Sequence, residues 1–343
     1  MLSFINIIIN NINKNDINNI NKNDINNINN INNILYSIMN IISKIGNIND
    51  NRKIKNKTYK PLWIDSQLYE DCINNNIYFD KTSKKCGFGS FSNVYKVIYY
   101  NEEVSLKILN HKNKKKEIEN EINNLQNLKH KNIINYIHNF EYNKKRYIIT
   151  EYADCGELFY LIGISINFSE DECKYYITGI IDGLKHMHDN KIIHRDIKLE
   201  NILVKNEIDI ESGLLYKVPK LCDFGFSIKQ ETEKITGVLG TSQYIAPEII
   251  TDDSYDGYKS DIFSLGCLLY ILRFGSYPFL HRPDYYNQYL SDRIIELFKI
   301  PIPEYHPSIS ISPILKSLID NMIIIDPIRR YSLQNVKDHD WFK

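Results

Sequence analysis

Apolar positions change their period along this chain of 343 residues. Between Ile9 and Asp24 the unit Ile-Asn-Asn-Ile-Asn-Lys-Asn-Asp occurs twice unchanged, and a degraded third copy runs from Ile25 to Ile34. Isoleucines at alternating spacings of three and five can line one helical face, but asparagine side chains compete for backbone hydrogen bonds. The segment is therefore expected to be disordered or transiently helical, with a docking helix as the alternative. Ile34, Leu35, Ile38, Ile41, Ile42 and Ile45 form a better helical stripe, one that could pack on the folded domain or on a partner. From Lys53 to Lys60 the chain is basic and polar and reads as a linker; Trp63 in Pro61-Leu62-Trp63-Ile64 is expected to anchor it on the folded domain.

Beyond Tyr78 the texture changes. Residues 93–100 and 104–109 read as two strands joined by a polar turn at Asn101-Glu102. Ile118, Ile122, Leu125 and Leu128 then recur at helical spacing between Glu117 and Leu128. A strand signal returns from Tyr147 to Glu151, and after Ser169 helical patterns dominate: Asp171 to His188, Lys259 to Leu272 and Ile314 to Met322. A small strand-rich lobe followed by a larger helical lobe is an α+β plan with a cleft between. The domains expected are an Asn-rich extension over 1–58, a linker packing on the folded domain over 59–77 and the two-lobed folded domain itself over 78–343.

Composition narrows the partners. Lys+Arg and Asp+Glu each total 42, so no global charge draws the chain to nucleic acid or an anionic membrane. The six cysteines, Cys72, Cys86, Cys155, Cys173, Cys222 and Cys267, lack any Cys-x-x-Cys or zinc spacing and read as reduced thiols. No apolar run reaches membrane-spanning length, and Met1-Leu2-Ser3-Phe4 has neither a basic signal start nor a myristoylation glycine. A soluble cytoplasmic or nuclear protein is expected, its oligomeric state open.

Glycines in Gly87-Phe88-Gly89-Ser90-Phe91-Ser92 lie between two strands, where backbone can approach phosphate oxygens; that context differs from a dinucleotide fold. Lys107, on an apolar strand, needs an acidic partner: Glu121 on the inner face of the next helix, or Glu117 one turn earlier. His194-Arg195-Asp196-Ile197-Lys198-Leu199-Glu200-Asn201 precedes Asp223-Phe224-Gly225 and Ala246-Pro247-Glu248. Phosphoryl transfer needs a carboxylate near the acceptor hydroxyl, metal ligands bridging the phosphates and a cation on the transferring group. Asp196, Asn201 with Asp223, and Lys198 supply these three.

With these motifs, residues 78–343 resemble a eukaryotic protein kinase domain of the Ser/Thr branch. The resemblance implies a two-lobed kinase fold with ATP and Mg2+ as ligands, and with Gly87 and Gly89 over the phosphates. It implies that Lys107 contacts the α/β-phosphates and pairs with Glu121, that Asp196 orients the acceptor hydroxyl, and that Lys198 touches the γ-phosphate. Asn201 and Asp223 would hold magnesium. Thr150 takes the gatekeeper position, the Glu151 and Ala153 backbones face adenine, and Glu157 contacts ribose. Cys86, Phe88, Ser90, Val94, Ser105, Leu203 and Cys222 complete the expected nucleotide set, the two cysteines as small apolar fillers. Ser260-Asp261-Ile262-Phe263 resembles the helix whose aspartate anchors the catalytic loop, and Glu248 with Arg330 the buried pair that ties down the activation segment. The chain ends just past Asp340-Trp341-Phe342, so no C-terminal regulatory domain is expected.

Some positions depart from the family pattern. Ser92 stands for the third glycine, and Ser105 for the usual alanine. Asp196 and Asp223 are 27 residues apart, which implies an enlarged loop or hairpin from Lys205 to Pro219, read as a surface elaboration. Lys198 and Thr241 point to Ser/Thr acceptors in protein substrates, and Glu157 with Glu200 to one upstream arginine. The alternative is a pseudokinase scaffold, which needs a broken catalytic residue. Arg195 beside Asp196 implies activation by a phosphate, but the expected position is Gly237, which has no hydroxyl. Thr236 is the favoured substitute, with Thr232, or the acidic Glu231 and Glu233, as alternatives.

Overall fold

The computed structural model describes residues 59–88, 92–110, 115–165, 167–209, 212–232, 234–279, 305 and 307–343. The extension over 1–58, with its isoleucine stripe, lies outside them, as do Gly89, Ser90 and Glu233. The chain divides into two compact units, residues 1–81 with 98–102, and residues 82–97 with 103–343.

In the first unit, the stretch read as a linker contains a nine-residue helix, α1 (Ser66–Asn74). Asp65 caps it by accepting from the Leu68 N–H, and Leu68 and Cys72 bury its inner side. Phe79 takes Trp63 edge-on at 6.1 Å and stacks on Tyr69 at 5.8 Å. Trp63 thus has a partner within this unit and remains 44% exposed. Strand β1 (Ile77–Tyr78) pairs with Ile98 and Tyr99, and Tyr100 and Asn101 then turn the chain through positive φ. The turn lies one residue earlier than the polar pattern predicts.

The second unit carries the α+β plan. Its sheet runs β2 (Lys84–Phe88), β3 (Ser92–Tyr99), β4 (Glu102–Asn110), β6 (Lys145–Glu151) and β5 (Tyr136–Tyr142). Along β4 the two-residue period buries Val104, Leu106 and Ile108 on one face and turns Ser105 and Lys107 to the other. Helix α2 (Lys115–Asn127) packs Ile118, Ile122 and Leu125 inward. A short strand β7 (Gly156–Glu157) leads into α3 (Leu158–Ser165).

Helices dominate the rest. Helix α4 (Glu170–Asp189) starts at a Ser169–Glu172 capping box, carries three acids in its first turn and buries Ile177, Ile180, Leu184 and Met187 along one stripe. Strand β8 (Ile192–Ile193) pairs with β11 (Ile228–Lys229), and the hairpin β9 (Ile202–Ile208) to β10 (Leu215–Leu221) fills the predicted insertion. After α5 (Glu248–Thr251) comes α6 (Gly257–Phe274), buried on nearly every side and closed by Gly275 at φ 68°. Helices α7 (Pro313–Met322) and α8 (Leu333–Lys337) finish the unit.

The Glu248–Arg330 pair forms in the core. Arg330 is 1% exposed, and its five N–H groups meet five acceptors: both Glu248 carboxylate oxygens and the carbonyls of Lys259, Ile324 and Ile325. Removing one member strands the other charge, so Arg330→Leu should cost about 3–5 kcal/mol in urea unfolding. Arg330→Lys should lose nearly as much, because an ammonium cannot reproduce the planar fork.

Candidate active site

A cavity of about 470 Å³ opens in the second unit beneath β2–β4. Of the residues predicted from sequence, Cys86, Gly87, Val94, Ser105, Lys107, Glu121, Thr150, Glu151, Ala153, Glu157, Asn201, Leu203, Cys222 and Asp223 line it. Asp196 and Lys198 lie outside its lining, in the adjoining catalytic loop. Leu125, Ile134, Ile148, Tyr152 and Tyr160 also line the cavity and were not singled out from the sequence. Only the apolar periodicity of their elements marked the first and third of these.

The choice between Glu121 and Glu117 is decided by geometry. Lys107 Nζ lies 2.7 Å from Glu121 and 2.8 Å from Asp223. Burial alone would push the Lys107 ammonium down, but the two carboxylates reverse the effect and raise its pKa. Lys107 in turn holds the Asp223 carboxyl down at about 2. Glu121, 4% exposed, is raised by burial against the pull of Lys107. Asn120 and Asn124 of α2 both donate to the Ser227 carbonyl. These contacts fix the helix to the segment that follows Asp223, whose backbone sits at φ 60°.

The catalytic loop is built on hydrogen bonds. Asp196 accepts from Thr241 Oγ1 at 2.7 Å and from Asn201 Nδ2 at 2.9 Å, and pairs with Lys198 at 2.7 Å. Lys198 also donates to Thr241 Oγ1 at 2.8 Å. His194 Nδ1 accepts from the Asp196 N–H, which leaves the proton on Nε2 to bond the Cys222 carbonyl at 3.1 Å. Beneath them Asp261 accepts from the backbone N–H groups of His194 and Arg195, each at 3.0 Å, and bonds His188 at 2.9 Å.

At the cavity's edge, Thr150 donates to the Glu151 carbonyl at 3.3 Å, and the Ala153 carbonyl accepts from the Gly156 N–H at 3.2 Å. The Glu151 side chain does not turn to the cavity's ligand face but meets Lys205, Lys220 and the Asn135 N–H. Burial would raise its carboxyl, but these partners hold it below the usual range. The Lys205–Pro219 insertion is therefore a brace for this strand end as well as a surface hairpin. Glu157 is raised by burial and by the nearby Glu200 carboxylate. Cys222 is pushed up by burial, which suits an apolar filler.

A family model for the protein kinase domain matches residues 81–342. This chain belongs to the protein kinase family. Among curated relatives, Serine/threonine-protein kinase SRK2E of Arabidopsis thaliana is 34% identical over 71% of this chain and 65% of its own length. Serine/threonine-protein kinase SAPK4 of Oryza sativa subsp. japonica is 35% identical over 65% and 59%. Serine/threonine-protein kinase SRK2A of Arabidopsis thaliana is 34% identical over 76% and 70%. This kinase chain thus spans less than two thirds of the first of these relatives. Among the described residues no helix is long and apolar enough to cross a membrane.

The donor set suits a hard divalent cation. Asn201 commits its amide nitrogen to Asp196, which leaves its amide oxygen available as a ligand, and both Asn201 and Asp223 line the cavity. Two protein oxygens are what magnesium needs when phosphates supply further ligands. Asp223 contributes stability that is complete above its unfolded pKa of about 3.9 and is lost as pH falls towards its folded value of about 2. Lys107→Met removes the cation that lowers it and leaves Glu121 buried without a counter-charge. The destabilisation by Lys107→Met, read from urea midpoints, should therefore narrow as pH falls from about 6 to about 3.

Proposed function

We propose that this protein transfers the γ-phosphate of ATP, with Mg2+, to serine or threonine hydroxyls of protein substrates. The observation that carries this reading is the Asp196–Lys198–Thr241–Asn201 network beside the cavity that holds Lys107, Glu121 and Asp223. Asp196 is oriented through three partners, positioned to accept the proton of an incoming hydroxyl as it attacks phosphorus. Lys198, 20% exposed at its side chain, is free to follow the transferring group, and Lys107, pinned by Glu121, binds the non-transferring phosphates. Asn201 and Asp223 would hold magnesium, which would supply positive charge to the phosphates. Gly87 keeps bulk away from the ligand, with Gly89 and Ser90 expected to cover the phosphates. Thr150, the backbones of Glu151 and Ala153, and Leu203 frame the adenine.

Threonine at 241 supports Ser/Thr acceptors, because its hydroxyl ties Asp196 to Lys198 in the arrangement expected of that branch. The pseudokinase alternative needs a missing catalytic group, and each expected group is present. On the substrate side, Glu157 and Glu200 repel one another, and Glu200 Oε2 is buried without a hydrogen-bond partner. An arginine upstream of the acceptor would satisfy that oxygen. On the large lobe, where basophilic members of the family place an acid for a second upstream arginine, this chain has Ile271, buried and apolar, so one arginine is favoured over two.

Purified protein incubated with Mg-ATP and an arrayed peptide library should phosphorylate Ser/Thr peptides with moderate selection for one upstream Arg. Lys107→Met and Asp196→Asn should each lower kcat at least about a hundredfold while far-UV circular dichroism stays native. Wild-type turnover by Asp196→Asn would remove this mechanism. Selection of proline or acidic residues would remove the substrate reading alone.

A further inference from the structure

Position 237 of the activation segment carries no hydroxyl, yet the segment lies directly over Arg195. A Cβ built on Gly237 would stand 3.7 Å from Arg195 Nη2, and one on Gly240 would stand 3.0 Å from the Arg195 carbonyl. Both glycines have positive φ, 96° and 121°, where a side chain would be strained. What holds the segment there is Tyr255. Its backbone N–H donates to the Ile235 carbonyl at 2.9 Å, and its carbonyl accepts from the Ile235 N–H at 2.8 Å. Its hydroxyl donates to the Gly237 carbonyl at 3.1 Å, and so holds Gly237 where it lies against the Arg195 guanidinium. Tyr255 is 2% exposed, and Ile235, 8% exposed, is buried beside it.

We propose that Tyr255 is a positioning residue that clasps the activation segment to Arg195, so that Thr241 reaches Asp196 without a phosphate on the loop. The proposal rests on the kinase reading above. A phosphate would link Arg195 to the segment through its oxygens; here one phenol hydroxyl donates to the loop backbone and keeps Gly237 packed against the arginine. The two main-chain bonds of Ile235 set the register, and Thr241 lies four residues beyond Gly237, with Gly240 seated on the Arg195 backbone between them. The clasp replaces the mechanical part of a phosphate and not its charge, since Arg195 Nε is buried without a partner. Neither favoured acceptor is built into the clasp: Thr236 is exposed, and the Thr232 hydroxyl bonds the Lys234 carbonyl at 2.6 Å.

The test uses full-length protein treated with a phosphatase active on Ser, Thr and Tyr, with intact mass confirming the phosphate-free state. It also uses a Thr232→Ala/Thr236→Ala variant that cannot regain loop phosphate at those positions. Initial rates of peptide phosphorylation should stay within about threefold of untreated wild type in both. Tyr255→Phe keeps the ring and should fold normally, but kcat should fall on the order of tenfold with KM for ATP little changed. Residue-resolved amide exchange supplies a readout independent of turnover. The Ile235 and Tyr255 amides should be protected in phosphate-free protein and exchange much faster in Tyr255→Phe. Activity lost on dephosphorylation but present in untreated protein would overturn the clasp. So would an unimpaired Tyr255→Phe, or unprotected amides in the phosphate-free chain. If untreated protein transfers no phosphate at all, the kinase reading fails, and the exchange result alone decides whether the clasp exists.

Discussion

Asp261 is the constraint on which the catalytic loop depends. It is 1% exposed, and its two oxygens gather the His194 and Arg195 N–H groups and the His188 ring. A carboxylate that far from water is tolerable only when charge-assisted hydrogen bonds replace its hydration. Arg195 sits at φ 68°, a left-handed backbone that costs about 1–3 kcal/mol for a non-glycine residue unless the surroundings over-determine it. The Asp261 contacts do so, and the strained turn then points Asp196 towards Thr241, Lys198 and Asn201. Helix α6 can carry such an acid because apolar packing surrounds the rest of it. Asp261 is thus a rigid post set in the core, and Asp196, the carboxylate of the proposed reaction, is one residue beyond the peptide groups it holds.

A second layer of order comes from opposed charges that have no other partner nearby. Lys107 takes Glu121 and Asp223 together, so helix α2, strand β4 and the left-handed turn at Asp223 meet at one ammonium. Lys220 does the same for the hairpin, spending its three protons on Glu151, Glu207 and the Lys131 carbonyl. In both cases burial makes the lysine specific, since an exposed pair would contribute under about 1 kcal/mol and tolerate many geometries. The same reasoning gives meaning to the exceptions. Glu200 Oε2 and Arg195 Nε are buried without partners, the first at the proposed substrate site and the second beside the segment at Gly237. Orphaned groups also occur at Asn132, Arg146 and Arg273, away from those surfaces, so an orphan carries functional weight only where other geometry converges on it.

Much of this was legible in the sequence because its signals are local. The 2.0 period of Val104 to Ile108, the 3.6 period of helix α4 and the ordered motifs around Asp196 and Asp223 predict strand, helix and site within a residue or two at each end. Glu121 is preferred to Glu117 already by the apolar spacing of Ile122, Leu125 and Leu128 that follows it, and in the fold Glu121 is buried while Glu117 is exposed. Helix α1 was missed: it ends at Asn74 and runs straight into Asn75 and Asn76, and its short apolar stripe of Leu68 and Cys72 is weak evidence against a polar background. Tyr255 carried no signal at all. Its importance comes from a two-way backbone bridge to Ile235, twenty residues earlier in the chain, and no periodicity records such a contact.

The hairpin shows how an insertion acquires a role from where its ends are fixed. Its far end, around Ile208, Leu214 and Leu215, is exposed and bears on nothing in the site. Its near end runs antiparallel beside β7 and places Lys205 and Lys220 against Glu151, while Asn206 bonds Asp154 through both backbone and side chain. The segment from Glu151 to Asp154 is where the chain passes from the sheet to the helices, and it borders the cavity. A connection of that kind would flex freely if only its backbone joined the two parts. Ionic and amide contacts from the hairpin fix both ends of it. The added length thus lies in the part that faces solvent, while the part that meets the cavity's edge is held by buried charge, which leaves Thr150 and Ala153 at fixed positions for a bound ligand to meet.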